Sequence, residues 1–244
     1  MVERNTTRKS PRRTDALSRE RITAAAVELL DAAGEGGLTF RALSERLATG
    51  PGAIYWHVAN KSELLEAATD AVVAAALPAP VTPVAADECV ELAKPEAPVR
   101  SPQDEIRAVA LGLFTAIAEH PWLATQVTLQ LSLGPAKPVP LRLFESLGRQ
   151  VGALGVPQES WFTAASALMH YILGAAAQNA SNARVAGSEV GRAEFLDAVS
   201  AAWEELDPDE YPFTRAVARQ ARDHDDREQF LAGIDLILAG TAAR

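Results

Sequence analysis

The sequence predicts an all-α protein, and three observations carry that expectation. Apolar residues make up 48% of the 244-residue chain but aromatics only 6%, and alanine, the strongest helix former, dominates the apolar set. Val-Ile-Thr alternation, the mark of half-buried strands, is almost absent. Apolar residues recur instead at three- and four-residue spacings over most of the chain. A charged fraction of 23% completes an ordinary globular composition and excludes a wholly disordered or fibrous chain.

Residues 1–17 hold Arg4, Arg8, Lys9, Arg12 and Arg13 among polar residues without periodicity, which predicts a disordered basic arm. A first helix follows Ser18 as N-cap, with Ile22, Ala26, Leu29 and Ala33 on one stripe and Gly34 ending it. Thr39 caps a short second helix through Phe40, Leu43 and Leu47. Pro51 opens a third that carries Ile54, Tyr55, Trp56 and Val58. Asn60 and Glu63 form an N-cap pair opening a fourth, whose stripe is Leu64, Leu65, Ala68 and Val72. Six prolines between Pro78 and Pro102 cannot lie in a continuous helix, so residues 78–102 read as a flexible segment.

A fifth helix starts at Ser101-Pro102, carries Ile106, Val109, Leu113, Phe114 and Ile117, and ends near His120-Pro121. Trp122 to Leu131 forms another, residues 134–140 a loop, and Leu141, Phe144, Leu147 and Val151 mark the next helix. Residues 158–184 give the longest periodic segment. A last helix spans about Asp226 to Ala239, with Asp225 as its cap. No repeat at solenoid periods is visible.

Net charge is −9, which alone argues against a nucleic-acid partner, but the charge is unevenly placed. Residues 1–62 hold ten Lys/Arg against seven Asp/Glu, whereas residues 63–244 hold 13 against 25. The two parts are therefore expected to face different partners. The single cysteine, Cys89, can close neither an internal disulfide nor a CxxC metal site, and the polar, basic amino terminus lacks the apolar stretch of a secretory signal. Residues 164–177, the most apolar stretch, are interrupted by Ser166 and His170 and fall short of a membrane span. A cytoplasmic location is expected, with no membrane partner.

Two short helices around a tight turn, with a longer helix before and a capped one after, form a helix-turn-helix pattern. Tyr55 and His57 can offer a hydroxyl and an imidazole to a phosphate backbone, and Lys61 adds charge at an anion-favouring helix start. The strings Gly37-Leu38-Thr39-Phe40-Arg41-Ala42-Leu43 and Ile54-Tyr55-Trp56-His57-Val58-Ala59-Asn60-Lys61-Ser62-Glu63-Leu64-Leu65 closely resemble the tetracycline-repressor (TetR) family of regulators. The detailed match covers residues 18–70. Asp207-Pro208-Asp209-Glu210-Tyr211-Pro212 and residues 230–238 resemble the end of that family's regulatory domain, a weaker match over residues 205–240.

The resemblance implies a three-helix helix-turn-helix DNA-binding domain (18–62) and a larger helical ligand-binding and dimerisation domain (63–244). It implies a homodimer on a pseudo-palindromic double-stranded operator and a repressor released by a small apolar or amphipathic effector. Carried over by position, Thr39, Arg41, Pro51, Gly52, Ala53, Tyr55, Trp56, His57 and Lys61 fall where the family contacts DNA. Arg41 would read a base, while Thr39, Tyr55, His57 and Lys61 would hold phosphates. The basic arm, through Arg8, Lys9, Arg12 and Arg13, would add minor-groove or phosphate contacts. Trp56 is expected to be core first and a DNA neighbour second.

Two departures qualify the resemblance. Residues 50–53 read Gly-Pro-Gly-Ala, so the recognition helix offers no amide or hydroxyl side chain to base edges. The histidine that tetracycline-binding members place near the end of the fourth helix is missing, which argues against tetracycline with magnesium. No cofactor or metal is expected.

In the larger domain, Phe114, Trp122, Gln126, Gln130, Phe144, His170 and Tyr171 combine aromatic surface with polar groups that can be buried, as a ligand pocket requires. Trp161, Ala165, Leu168 and Ile172 on one long helix, with Phe230, Ile234 and Ile237 on the last, exceed one subunit's needs and are expected at a dimer seam. An enzyme is not expected, since no HExxH, GxSxG, Walker loop or strand-linked GxGxxG is present. The alternative is a helical protein-interaction module whose basic arm binds an acidic partner without sequence-specific DNA binding.

Overall fold

A computed structural model describes residues 17–78, 100–134, 136–187 and 189–242. The basic arm and all but the ends of the Pro-rich segment lie outside the described residues. Among these, eleven α-helices form and no strand does. The chain divides into two units, Met1–Ala68 and Thr69–Arg244, so the division falls inside the fourth helix rather than at residue 62.

In the first unit, α1 (Arg19–Gly37) begins where Ser18 Oγ accepts from the Arg21 amide at 3.3 Å. Gly34 adopts φ 61°, a conformation that favours glycine, and breaks the helix before one further turn reaches Gly37. The buried stripe is Ile22, Ala26 and Leu30; Leu29 is half-buried and Ala33 exposed, because the helix breaks beside it. α2 (Phe40–Leu47) is capped by Thr39, whose Oγ1 accepts from the Ala42 amide at 3.1 Å. α3 (Pro51–Tyr55) has Pro51 at its first position, where a missing N–H costs nothing. It buries Ile54, while Val58 is buried just beyond it.

α4 (Lys61–Ala76) runs from the first unit into the second. Asn60 Oδ1 accepts from the Glu63 amide at 2.9 Å, and Glu63 Oε2 reaches back to the Ala59 amide at 2.8 Å. Arg19 closes the small bundle, donating to Glu63 Oε1 at 2.8 Å and to the His57 carbonyl at 3.3 Å. The Ala59 amide and the Arg19 guanidinium hold the Glu63 carboxyl below its ordinary range.

The second unit is built on α8 (Trp161–Ala186), against which α5 (Pro102–Glu119), α7 (Pro138–Ala153) and α11 (Asp226–Ala242) pack. Ser101 caps α5 by accepting from the Asp104 amide at 3.1 Å, and Ile106, Val109, Leu113 and Ile117 are buried. α6 (Leu123–Leu133) follows Trp122. Proline at its first position starts α7 three residues ahead of Leu141, so the buried face can begin with Val139 and Pro140. Its buried stripe is Val139, Leu143, Leu147 and Val151, leaving Leu141 exposed and Phe144 half-buried. Gly112 of α5 comes so close to α4 that a Cβ there would lie 1.9 Å from the Ala76 carbonyl oxygen.

Two helices have no counterpart in the expected element order. α9 (Glu189–Glu204) and α10 (Pro212–Asp223) pack on each other, and among their described side chains only Ser200 and Ala218 are buried. α10 is amphipathic but polar on average, so it does not read as a core helix.

Candidate nucleic-acid interface and ligand-lining residues

The first unit's core is complete without the residues carried over from the family pattern. Thr39, Arg41, Pro51, Gly52, Tyr55, Trp56 and Lys61 are exposed, and Ala53 and His57 are half-buried. Phe40 stacks on Tyr55 with ring centroids 4.4 Å apart, which brings the start of α2, with Thr39 and Arg41, against the end of α3. Thr39 uses its oxygen as a cap acceptor, and its hydroxyl proton can still be donated to an outside acceptor. Arg41 donates to Glu45 at 3.0 Å across one helical turn, an exposed pair that a stronger acceptor can displace. Lys61 donates to the Glu35 carbonyl at the end of α1.

Trp56 corrects the expectation of a core residue. It is 90% exposed, the most exposed large apolar side chain of the chain's described residues. Ile54 and Val58 fill the interior on either side of it, and with α3 ending at Tyr55 the indole is carried outward. An exposed indole beside two exposed glycines is a surface suited to a partner.

Gly50 and Gly52 are not required by the fold. A Cβ on either would meet nothing within 4 Å, and neither has a positive φ. Gly52→Ala should therefore stabilise the protein by roughly 0.4–1 kcal/mol by reducing unfolded-chain freedom. Thermal unfolding checks this, and a destabilised variant would contradict the open placement of this position.

The residues expected to line a pocket are scattered. Phe114 lines a cavity of about 500 Å³ among α5, α8, α9 and the α10–α11 turn, and the other six do not. Trp122, Gln126 and Gln130 are buried, and Gln130 Nε2 has no hydrogen-bond partner. Phe144 stacks at 6.0 Å on exposed Phe162. His170 faces solvent, because it lies on the side of α8 opposite the buried Leu168 and Ile172. Tyr171 is a tie between helices: its hydroxyl donates to the Phe230 carbonyl at 3.0 Å and its ring stacks on Phe230 at 5.7 Å.

The residues expected at a dimer seam also need correction. Ala165, Leu168, Ile172, Phe230 and Ile234 are buried within the single chain, so they serve its own core; Ile237 is half-buried. Trp161 is 40% exposed and donates through Nε1 to the Val156 carbonyl at 2.7 Å. The same helices leave other residues outside. α11 exposes Ala232, Leu236 and Ala239, and α8 exposes Phe162, Ala167, His170 and Gly174. The outward face of each helix lies one or two residues away from the expected one, since both apolar stripes are broad.

Arg192, Arg222, His224 and Asp226 around the cavity carry no signal in the sequence. Arg192 pairs with Asp226, with its Nη2 2.6 Å from Oδ1 and its Nε 3.0 Å from Oδ2. These partners are 34 residues apart in the chain, and no local spacing announces them. No described helix is long and apolar enough to cross a membrane. Among the described residues no three His, Cys, Asp or Glu side chains gather as a metal site would require.

The geometry agrees with the relatives of the chain. Residues 22–68 match the family described as bacterial regulatory proteins, tetR family, and residues 94–244 match the tetracyclin repressor-like C-terminal domain. A TetR transcriptional regulator of Streptomyces coelicolor is 63% identical, with a TM-score of 0.80, over 93% of this chain and 99% of that one. BioQ of Mycobacterium smegmatis, in its structure with a double-stranded DNA operator, is 25% identical with a TM-score of 0.57, over 94% of this chain and 100% of that one. An HTH-type transcriptional regulator of Saccharopolyspora erythraea is 29% identical over 166 residues, 68% of this chain. The chain spans 62% of that curated relative's length. With both the amino-terminal and the carboxy-terminal patterns of the family matched, the chain belongs to the tetR family of bacterial regulatory proteins.

Proposed function

We propose that the chain is a cytoplasmic, non-enzymatic transcriptional regulator. It binds a pseudo-palindromic DNA operator as a homodimer and is released, as a repressor would be, when a small amphipathic effector binds its second unit. One observation carries the DNA reading. Trp56 is 90% exposed, next to exposed Gly52 and Tyr55 and within a unit whose core is filled by other residues. A solvent-facing indole has no use in folding, whereas flat contact with a sugar-phosphate wall accounts for its position. Operator binding by BioQ supports the same reading.

The test is selection of duplexes from a random library, followed by footprinting. A site of two-fold symmetry is expected, with recognition helices roughly 34–36 Å apart or somewhat more. Trp56→Ala should leave stability within about 0.5 kcal/mol and weaken all sites alike. Arg41→Ala should relax preference at one position per half-site, at a cost of roughly 1–3 kcal/mol. Failure to enrich any sequence would favour the alternative, a helical interaction module.

The basic arm completes the proposal. Arg8, Lys9, Arg12 and Arg13 precede α1 directly and supply the positive charge that an α3 carrying Gly52 and Ala53 lacks. Deletion of residues 1–13 should leave folding intact and flatten the slope of log affinity against log salt by about 0.9 for each phosphate that the arm no longer neutralises. An unchanged slope would show the arm to be a solvated tail.

A further inference from the structure

Arg41 and Glu45 pair one turn apart on α2, and helix energetics do not account for their placement. The helix dipole favours acids in the first turn and bases in the last. α2 reverses this, with Arg41 in its first turn and Glu45 in its last. For the pair itself the favoured order is likewise acid before base, as with Glu145 and Arg149 on α7. The Arg41 side chain is 89% exposed and that of Glu45 66%, and pairs so exposed add little to stability. Folding therefore gives no reason for a carboxylate at position 45.

The contact occupies one edge of the guanidinium and leaves the other open. Nε donates to Glu45 Oε1 at 3.0 Å, while Nη1 and Nη2 make no hydrogen bond to any described residue. Those two nitrogens form the fork that matches the O6 and N7 acceptors of a guanine edge in the major groove. A guanine can thus be met without breaking the pair. The stacking of Phe40 on Tyr55 already fixes the first turn of α2 against the end of α3, so the root of the Arg41 side chain is held as well. An unrestrained arginine has a long stem to order on binding, and phosphates compete with bases for its charge. A carboxylate at Nε limits the first effect by restraint and the second by repulsion. Once a groove covers the pair and excludes water, its attraction exceeds what it is in solvent.

We propose that Glu45 is a positioning residue for base recognition, holding Arg41 by Nε so that its Nη1/Nη2 fork is presented to a guanine. The proposal deepens the DNA-binding reading and rests on Arg41 as the reader of a base. It also fixes the sign of two separate effects. A carboxylate so near a polyanion lowers affinity for every duplex alike, whereas the orientation it gives Arg41 favours one base over the others.

The test uses the full chain and a duplex selected from a random library, with 7-deazaguanine replacing each half-site guanine in turn to remove its N7 acceptor. For the natural chain one replacement per half-site should weaken binding about tenfold, and Arg41→Ala should abolish that difference. Glu45→Ala should shrink the difference to about threefold and tighten binding to a duplex lacking the site about twofold. Glu45→Gln, whose Oε1 still accepts from Nε, should tighten the unrelated duplex to the same extent but keep most of the difference. Both Glu45 variants should unfold within about 2 °C of the natural chain, which separates the effect from a fault of folding. A difference that survives Glu45→Ala in full, or that falls equally in both Glu45 variants, overturns the inference and leaves Arg41 as the reader. Indifference of the natural chain to every 7-deazaguanine, or of the difference to Arg41→Ala, overturns the Arg41 reading and the inference with it.

Discussion

Replacing Gly112 by alanine should destabilise the protein by roughly 1–3 kcal/mol or more, which for a chain of this size is about 2–12 °C in the unfolding temperature. Helix propensity predicts the opposite, since alanine inside a helix is favoured over glycine by about 1 kcal/mol. Geometry decides between them. The new Cβ would lie 1.9 Å from the Ala76 carbonyl oxygen and 3.0 Å from its carbon, both backbone atoms that cannot rotate aside. Relief requires α4 and α5 to part by roughly an ångström, which also loosens the packing of their neighbours. Gly148→Ala on α7 is the control, because a Cβ there meets nothing within 4 Å and should give the ordinary gain. Thermal unfolding of the two variants checks the contrast, and equal unfolding temperatures would contradict the close approach of the two helices.

The helix-turn-helix is legible in the sequence because its boundaries are set by local chemistry. Ser18, Thr39 and Asn60 cap, Pro51 starts and Gly34 interrupts, and each of these acts within three or four residues of itself. Trp56 misleads for the same reason. Its size argues for burial, and only the short length of α3 sends it outward. The second unit is less legible because it is alanine-rich. Alanine sits on either face of a helix, so the stripes of α8 and α11 are broad and the buried and exposed members differ from the expected ones by a residue or two. α9 buries almost nothing among its described side chains, and α10, although amphipathic, is polar on average, so neither stands out as a core helix. The cavity is least legible of all. Arg192 meets Asp226, and Phe114 meets Phe230, only after distant segments have folded together.

Leu236→Glu should convert the proposed dimer to monomer at concentrations where the natural chain associates. Leu236 is 75% exposed on α11, flanked on the same helix by exposed Ala232 and Ala239, while buried Phe230, Ile234 and Leu238 hold the other face in the core. A leucine so exposed contributes nothing to its own subunit, and its substitution leaves the fold intact. In a two-fold interface each protomer presents the same patch, so one substitution introduces two charges close to the axis. Leaving charges unpaired in a desolvated seam costs several kcal/mol, and about 4 kcal/mol corresponds to roughly a thousandfold in the dissociation constant. Sedimentation should show the monomer, and operator binding should fall with it, since one head holds half a site. Ile234→Glu serves as the contrast: with Ile234 fully buried, that variant should lose its fold rather than merely its partner. A Leu236→Glu protein that remains a dimer would move the interface elsewhere, and the exposed Phe162 of α8 would be the next position to charge.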